Sequence, residues 1–192
     1  MVPDLKKVFS DSVKDLLNKE CYFIGDYVKK LPLKFCREIV NEIGEDRVAN
    51  ALLAFYEYDF NVVIVDFGTA ITFDLVTKDG LYDGGIIMPG ISLASESLTK
   101  ATAKLPKVAF RDKPNLIGKS TNQAIESGIY NLYDSAISGI IEKIAKEWQR
   151  DFKVVFTGGV GGVFMHNSSK DSSYDEFVTL KGLNYFNKKF LN

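Results

Sequence analysis

Three short stretches hold residues whose types and spacing can do chemistry on a charged small molecule. In Asp66-Phe67-Gly68-Thr69-Ala70-Ile71-Thr72 a carboxylate ends an apolar, β-branched run, Asn61 to Val65, of the kind that forms a buried strand. A carboxylate in that position invites a cation. Gly68 puts no side chain between a phosphate and the backbone N–H groups, and Thr69 and Thr72 offer hydroxyls to a phosphoryl oxygen or a metal-bound water. In Gly44-Glu45-Asp46-Arg47 acids and a base open a helix. Unsatisfied N–H groups there stabilise Asp46 as a carboxylate, and Arg47 can fork onto a ligand carboxylate or phosphate. Thr157-Gly158-Gly159 follows a second apolar run and lets the backbone pass close to a bound group. Each stretch alone also reads as ordinary turn or helix-start chemistry; together they point to phosphoryl transfer.

A fourth stretch, Gly118-Lys119-Ser120-Thr121, leads into a long helix, where hydroxyls and N–H groups bind anions or polar ligands. It is not a Walker A loop, because the first glycine of that motif is missing at the required spacing and no strand leads in. Helix capping explains it equally well, and Ser120 with Gln123 has the capping-box spacing.

The elements that must position these residues follow from periodicity. Leu5, Val8, Phe9, Val13, Leu16 and Leu17 recur at helical spacing, predicting an amphipathic helix. Cys21 to Ile24 and Leu31 to Phe35 are short strand candidates, the second with Pro32 tolerable only near an end or edge. A helix is predicted over 45–56, a meander of three strands over 61–90 reversing at Asp79-Gly80, and a helix over 92–101. A Pro-containing loop from Leu105 to Leu116 precedes a long helix over 120–148. A strand over 153–156, a weak helix, a polar loop, a strand over 177–180 and a terminal helix complete the chain. A meander followed by alternating helices and strands is an α/β layer rather than a bundle or a sandwich.

With 192 residues, 46% of them hydrophobic, the chain can bury a sizeable core. Its apolar runs are far shorter than a bilayer span, and the acid-bearing N-terminus does not fit a secretory signal, so a cytoplasmic location is expected with no membrane partner. Lysines and arginines number 24 against 25 acids, interspersed rather than blocked, which leaves no footprint for nucleic acid. Cys21 and Cys36 lack the neighbours and spacing of a metal site. His166 lies in a polar loop without the clustered partners that a hydrolytic triad needs.

Taken in order, GEDR at 44–47, DFGTAITFD at 66–74, GGIIMPG at 84–90, TAKLP at 102–106, GKST at 118–121 and TGG at 157–159 closely resemble the type III pantothenate kinases. The resemblance extends from VPDLK at the start to VTLKGL near the end. It implies a ribonuclease H-like fold of the actin-like ATPase and sugar kinase superfamily. It also implies ATP-dependent phosphorylation of pantothenate, the first step of coenzyme A synthesis, by a homodimer that uses Mg2+ and a monovalent cation, potassium or ammonium.

Carried over by motif, Asp46 is the general base on the pantothenate hydroxyl, with Gly44, Glu45, Arg47 and Thr121 lining that substrate. Asp66 holds the monovalent cation, and Gly68, Thr69, Gly158 and Gly159 approach ATP. The family opens with a strand and a DxGNT-type loop that supplies the other jaw of the phosphate clamp and a magnesium-binding Asp. No such segment occurs in this sequence. The expectation is therefore a truncated first domain, with residues 1–60 its remnant and 61–192 a C-terminal ribonuclease H-like domain. Met1 is then either an internal methionine of a longer protein or the start of a short form. The alternative function is a non-catalytic protein that keeps the pantothenate pocket and binds a partner.

Overall fold

The computed structural model describes residues 3–36, 38–101, 112–165 and 171–191. The TAKLP segment and His166 lie outside them. A six-stranded sheet carries the fold in the order β1-β4-β3-β2-β5-β6. Its strands are β1 (Lys34–Phe35), β2 (Asn61–Phe67), β3 (Ala70–Val76), β4 (Leu81–Pro89), β5 (Phe152–Gly158) and β6 (Ser172–Tyr174). β2 to β4 form the expected antiparallel meander, and β5 joins β2 in parallel, with Asp66 opposite Thr72 on one side and Thr157 on the other. The loops after β2 and β5 and before β3 therefore gather at one edge. Ligands of α/β sheets bind at such carboxyl ends of parallel strands.

Alternation along β2 sends its two faces into two cores. Val62 and Ile64 pack with Val76 and Val155 under α2 (Glu45–Glu57) and α6 (Val178–Phe186). Val63, Val65 and Phe67 pack with Phe73, Val154 and Phe156 under α3 (Ile91–Ala101), α4 (Thr121–Trp148) and the short α5 (Gly161–Phe164). With both faces covered, the near-continuous apolar run of β2 needs no polar side. The boundary expected at residue 60 falls between α2 and β2. Ile24, Val28, Leu31, Leu33 and Leu52 share the first core with Val62, Ile64 and Val178, and β1 extends the same sheet.

The helix over 3–17, α1, forms as its periodicity predicts, yet Leu5, Val8, Phe9 and Leu16 are exposed. Ser120 caps α4 by accepting from the Gln123 N–H, while the Gln123 side chain reaches back to the Lys119 N–H. Three strand expectations change. Cys21 to Ile24 forms no strand; Ile24 opens a 3-10 helix that runs to Lys30. The strand expected over 31–35 shrinks to Lys34–Phe35, as Pro32 has no N–H to give a ladder. Residues 178–180 begin α6, because Val178, Gly182 and Phe186 bury at helical spacing. Gly182 is required there: a Cβ would overlap the carbonyl oxygen of Ala49, so α2 and α6 approach backbone to backbone.

Candidate active site at the carboxyl ends of the central strands

On the α2 face, Gly44 stands at the N-cap of α2 and Asp46 in its first turn. Asp46 is exposed and accepts from the Arg47 N–H at 2.9 Å, the position in which the helix dipole favours a carboxylate. Glu45 is turned the other way, 2.6 Å from Lys6 of α1. Arg47 is held inward. Its Nε donates to Asp74 at 2.7 Å and an Nη to the Tyr82 hydroxyl at 2.6 Å, while that hydroxyl donates to the same Asp74 oxygen. Gly85, opposite Asp74 in the ladder, makes the space: a Cβ there would overlap the guanidinium.

Side-chain exposure is 15% for Arg47 and 0% for Asp74, so this is a buried ion pair. Removing either partner would strand a charge. Burial pushes the Asp74 carboxyl above its ordinary range, opposed by the Arg47 charge and the hydrogen bonds to it. Burial likewise pushes the Tyr82 phenol upward, leaving it a donor.

Asp66 lies on the same face. One of its oxygens accepts from Asn50 at 3.0 Å, and Asn50 is four residues after Asp46, on the same side of α2. Burial raises the Asp66 carboxyl, the Asn50 hydrogen bond opposes the shift, and the nearby Asp46 charge adds to it. A cation beside Asp66 would offset both the burial and the Asp46 charge. Among the described residues no group of three or more His, Cys, Asp or Glu is gathered. One half-buried carboxylate, with Thr72 and Thr157 opposite it in the ladder, is a hard-oxygen donor set of low charge. It fits a monovalent ion.

The other face of the same strand ends is open. A cleft of about 540 Å³ is lined by Gly68 and Thr69 from the β2–β3 turn, Ser92 and Glu96 from α3, and Gly159 after β5. Backbone packing shapes it. A Cβ on Gly90 would overlap the carbonyl oxygens of Gly68 and Thr69. Gly158 holds φ at +83° with no room for a side chain against Phe67. The structure thus brings Gly68, Thr69, Gly158 and Gly159 together on one side of β2, and Asp46, Arg47 and Asp66 on the other.

Thr121 stands apart. It is the first residue of α4, and Tyr133, whose hydroxyl donates to the Pro89 carbonyl at the end of β4, lies about 18 Å further along the helix. Asn50, Asp74, Tyr82 and Thr179 escape sequence reasoning. The signals were there for two of them: Asn50 at i+4 from Asp46, and Asp74 on the alternation from Thr72.

This sheet, helix-covered on both faces and with a glycine-lined cleft at its strand ends, defines an α/β protein built to hold a ligand at those ends. The chain belongs to the type III pantothenate kinase family, whose family model matches residues 1–143. A relative of that name from Sulfurihydrogenibium sp. is 37% identical over 188 residues, covering 98% of this chain and 74% of its own length. Another from Thermosipho melanesiensis is 40% identical over 186 residues, covering 97% and 74%. Among solved structures, a Campylobacter jejuni protein described as of the Baf family of transcriptional activators superposes with a TM-score of 0.54. It is 21% identical and covers 84% of this chain and 71% of its own, a likeness of fold. These relatives give the non-catalytic alternative no support. No helix of the described residues is long and apolar enough to cross a membrane.

Proposed function

We propose that the chain catalyses transfer of the γ-phosphoryl group of ATP to the primary hydroxyl of pantothenate, giving 4'-phosphopantothenate and ADP. The observation that carries this reading is the meeting, at one set of strand ends, of an exposed carboxylate with a guanidinium on one face and a glycine-lined cleft on the other.

Asp46 takes the hydroxyl proton as the new O–P bond forms and the bond to the ADP oxygen breaks. Gly44 lets the substrate approach the helix start, and Glu45 holds that start against α1. Arg47 offers its remaining N–H donors to the pantothenate carboxylate; fixed by Asp74 and Tyr82, it loses little freedom on binding. Gly68, Thr69, Gly158 and Gly159 bring backbone N–H groups and a hydroxyl to the phosphates.

Asp66 holds a monovalent cation, potassium or ammonium, which supplies positive charge near the transferring group. Mg2+ bound to the ATP phosphates would supply further positive charge for the transfer. Thr121, about 18 Å from Tyr133 along α4, reaches pantothenate across a homodimer. Leu132 of α4 and Ile87 of β4, both 62% exposed, offer apolar surface for such a partner. The cytoplasm is the compartment we propose for the reaction.

The test is pantothenate-dependent ADP formation by this chain and by the same chain extended upstream in its reading frame, with Mg2+ and with or without KCl. Turnover that needs pantothenate supports the proposal. Binding of both substrates without turnover in either form would overturn it.

A further inference from the structure

The C-terminal VTLKGL segment has no part in the chemistry above, yet it touches the site. Thr179, on α6, donates from its hydroxyl to Asn50 Oδ1 at 2.7 Å, and Asn50 Nδ2 donates to Asp66 Oδ2 at 3.0 Å. Asn50 is 0% exposed, so its amide has no water to turn to. A buried amide oxygen needs a donor, and Thr179 is the one it finds. The chain of donors runs in one direction, hydroxyl to amide to carboxylate. In such a chain each bond polarises the next, which strengthens the N–H that Asp66 receives. Gly182, one helical turn on, is what lets α6 come near enough to α2 for a side chain as short as threonine to reach.

We infer that Thr179 and Asn50 are positioning residues for Asp66, fixing the orientation of its carboxylate and thereby tying monovalent-cation binding to the docking of the C-terminal helix. The inference rests on the proposed cation role of Asp66. Without the hydroxyl, the Asn50 amide has lost one of its two anchors. It shifts to find another donor, and the Asp66 carboxylate is released to rotate.

The experiment compares Thr179→Val, which keeps shape and loses the hydroxyl, with Thr179→Ser, which keeps the hydroxyl. It uses the form of the chain that carries activity. Two readouts are taken against KCl, with choline chloride holding ionic strength constant: the concentration for half-maximal turnover, and the rise in Tm without substrates. Both should move to about 10-fold higher KCl in Thr179→Val, the scale of one lost hydrogen bond, and stay within about twofold of the parent in Thr179→Ser. A Thr179→Val protein with a lower Tm but an unchanged KCl response would overturn the inference, leaving Thr179 a packing residue only. A parent protein indifferent to KCl would remove the cation role of Asp66 and the inference with it. Failure of the kinase reading itself is seen separately, as absence of pantothenate-dependent turnover.

Discussion

The two faces of the sheet meet at the same strand ends and are built by opposite means. On the α2 face the shape is made by side chains already bonded to one another: Arg47 to Asp74 and Tyr82, Asn50 to Asp66 and Thr179. On the α4 face it is made by the absence of side chains, at Gly68, Gly90, Gly158 and Gly159. The first arrangement suits a small ligand recognised by directional bonds to its carboxylate and hydroxyl. The second suits polyphosphate, whose charge is spread over many oxygens and best met by backbone N–H groups. Preorganisation is thus electrostatic on one side and steric on the other.

The sharpest way to break the contrast is to remove a partner from the bonded face. Asp74→Ala leaves the Arg47 guanidinium part-buried without its counter-charge, and unfolding stability should fall by about 3–5 kcal/mol, read from the urea midpoint. A loss below about 1 kcal/mol would mean that the pair is hydrated and its order comes from elsewhere.

The steric face should break differently. Gly90→Ala drives a methyl group into the Gly68 and Thr69 carbonyls. The expected cost is about 1–3 kcal/mol, with KM for ATP rising and pantothenate affinity kept. An equal loss of both affinities would show that the two faces are not separable.

The smallest effect has an unusual sign. Burial holds the Asp66 carboxyl above its ordinary value, so the folded chain binds that proton more tightly than the unfolded one. Ionised Asp66 therefore opposes folding above the ordinary carboxylate range, and the opposition fades as pH falls. Asp66→Asn should raise Tm at pH 7.5, on the order of 2 °C, with a smaller gain at low pH and no response of turnover to KCl. Calorimetry at two pH values checks it; a lower Tm at pH 7.5 would show a carboxylate stabilised by its surroundings.

What could be read in the sequence follows the same division. Gly68, Thr69, Asp46 and Arg47 were legible because each sits in a short contiguous stretch whose chemistry is local. The socket that holds Arg47 was not, since Asp74, Tyr82 and Gly85 converge on α2 only through strand register. The bond from Thr179 to Asn50 spans 129 positions, beyond any periodicity.

Among the elements, the meander and α4 declared themselves by length and alternation. Val178-Thr179-Leu180 reads as strand because its start is β-branched, and helical burial overrides that preference. β6, Ser172–Tyr174, carries no apolar signal, as an edge strand with little burial needs none.

The claim that joins the two faces is that Asp46 acts on the proton while its neighbours do the binding. Asp46→Asn, assayed for turnover and titrated separately with pantothenate and with ATP, tests it most directly. The expected result is a kcat lower by on the order of 10²–10⁴-fold, with both dissociation constants within about twofold of the parent. Turnover near that of the parent, or pantothenate binding lost along with it, would contradict the account.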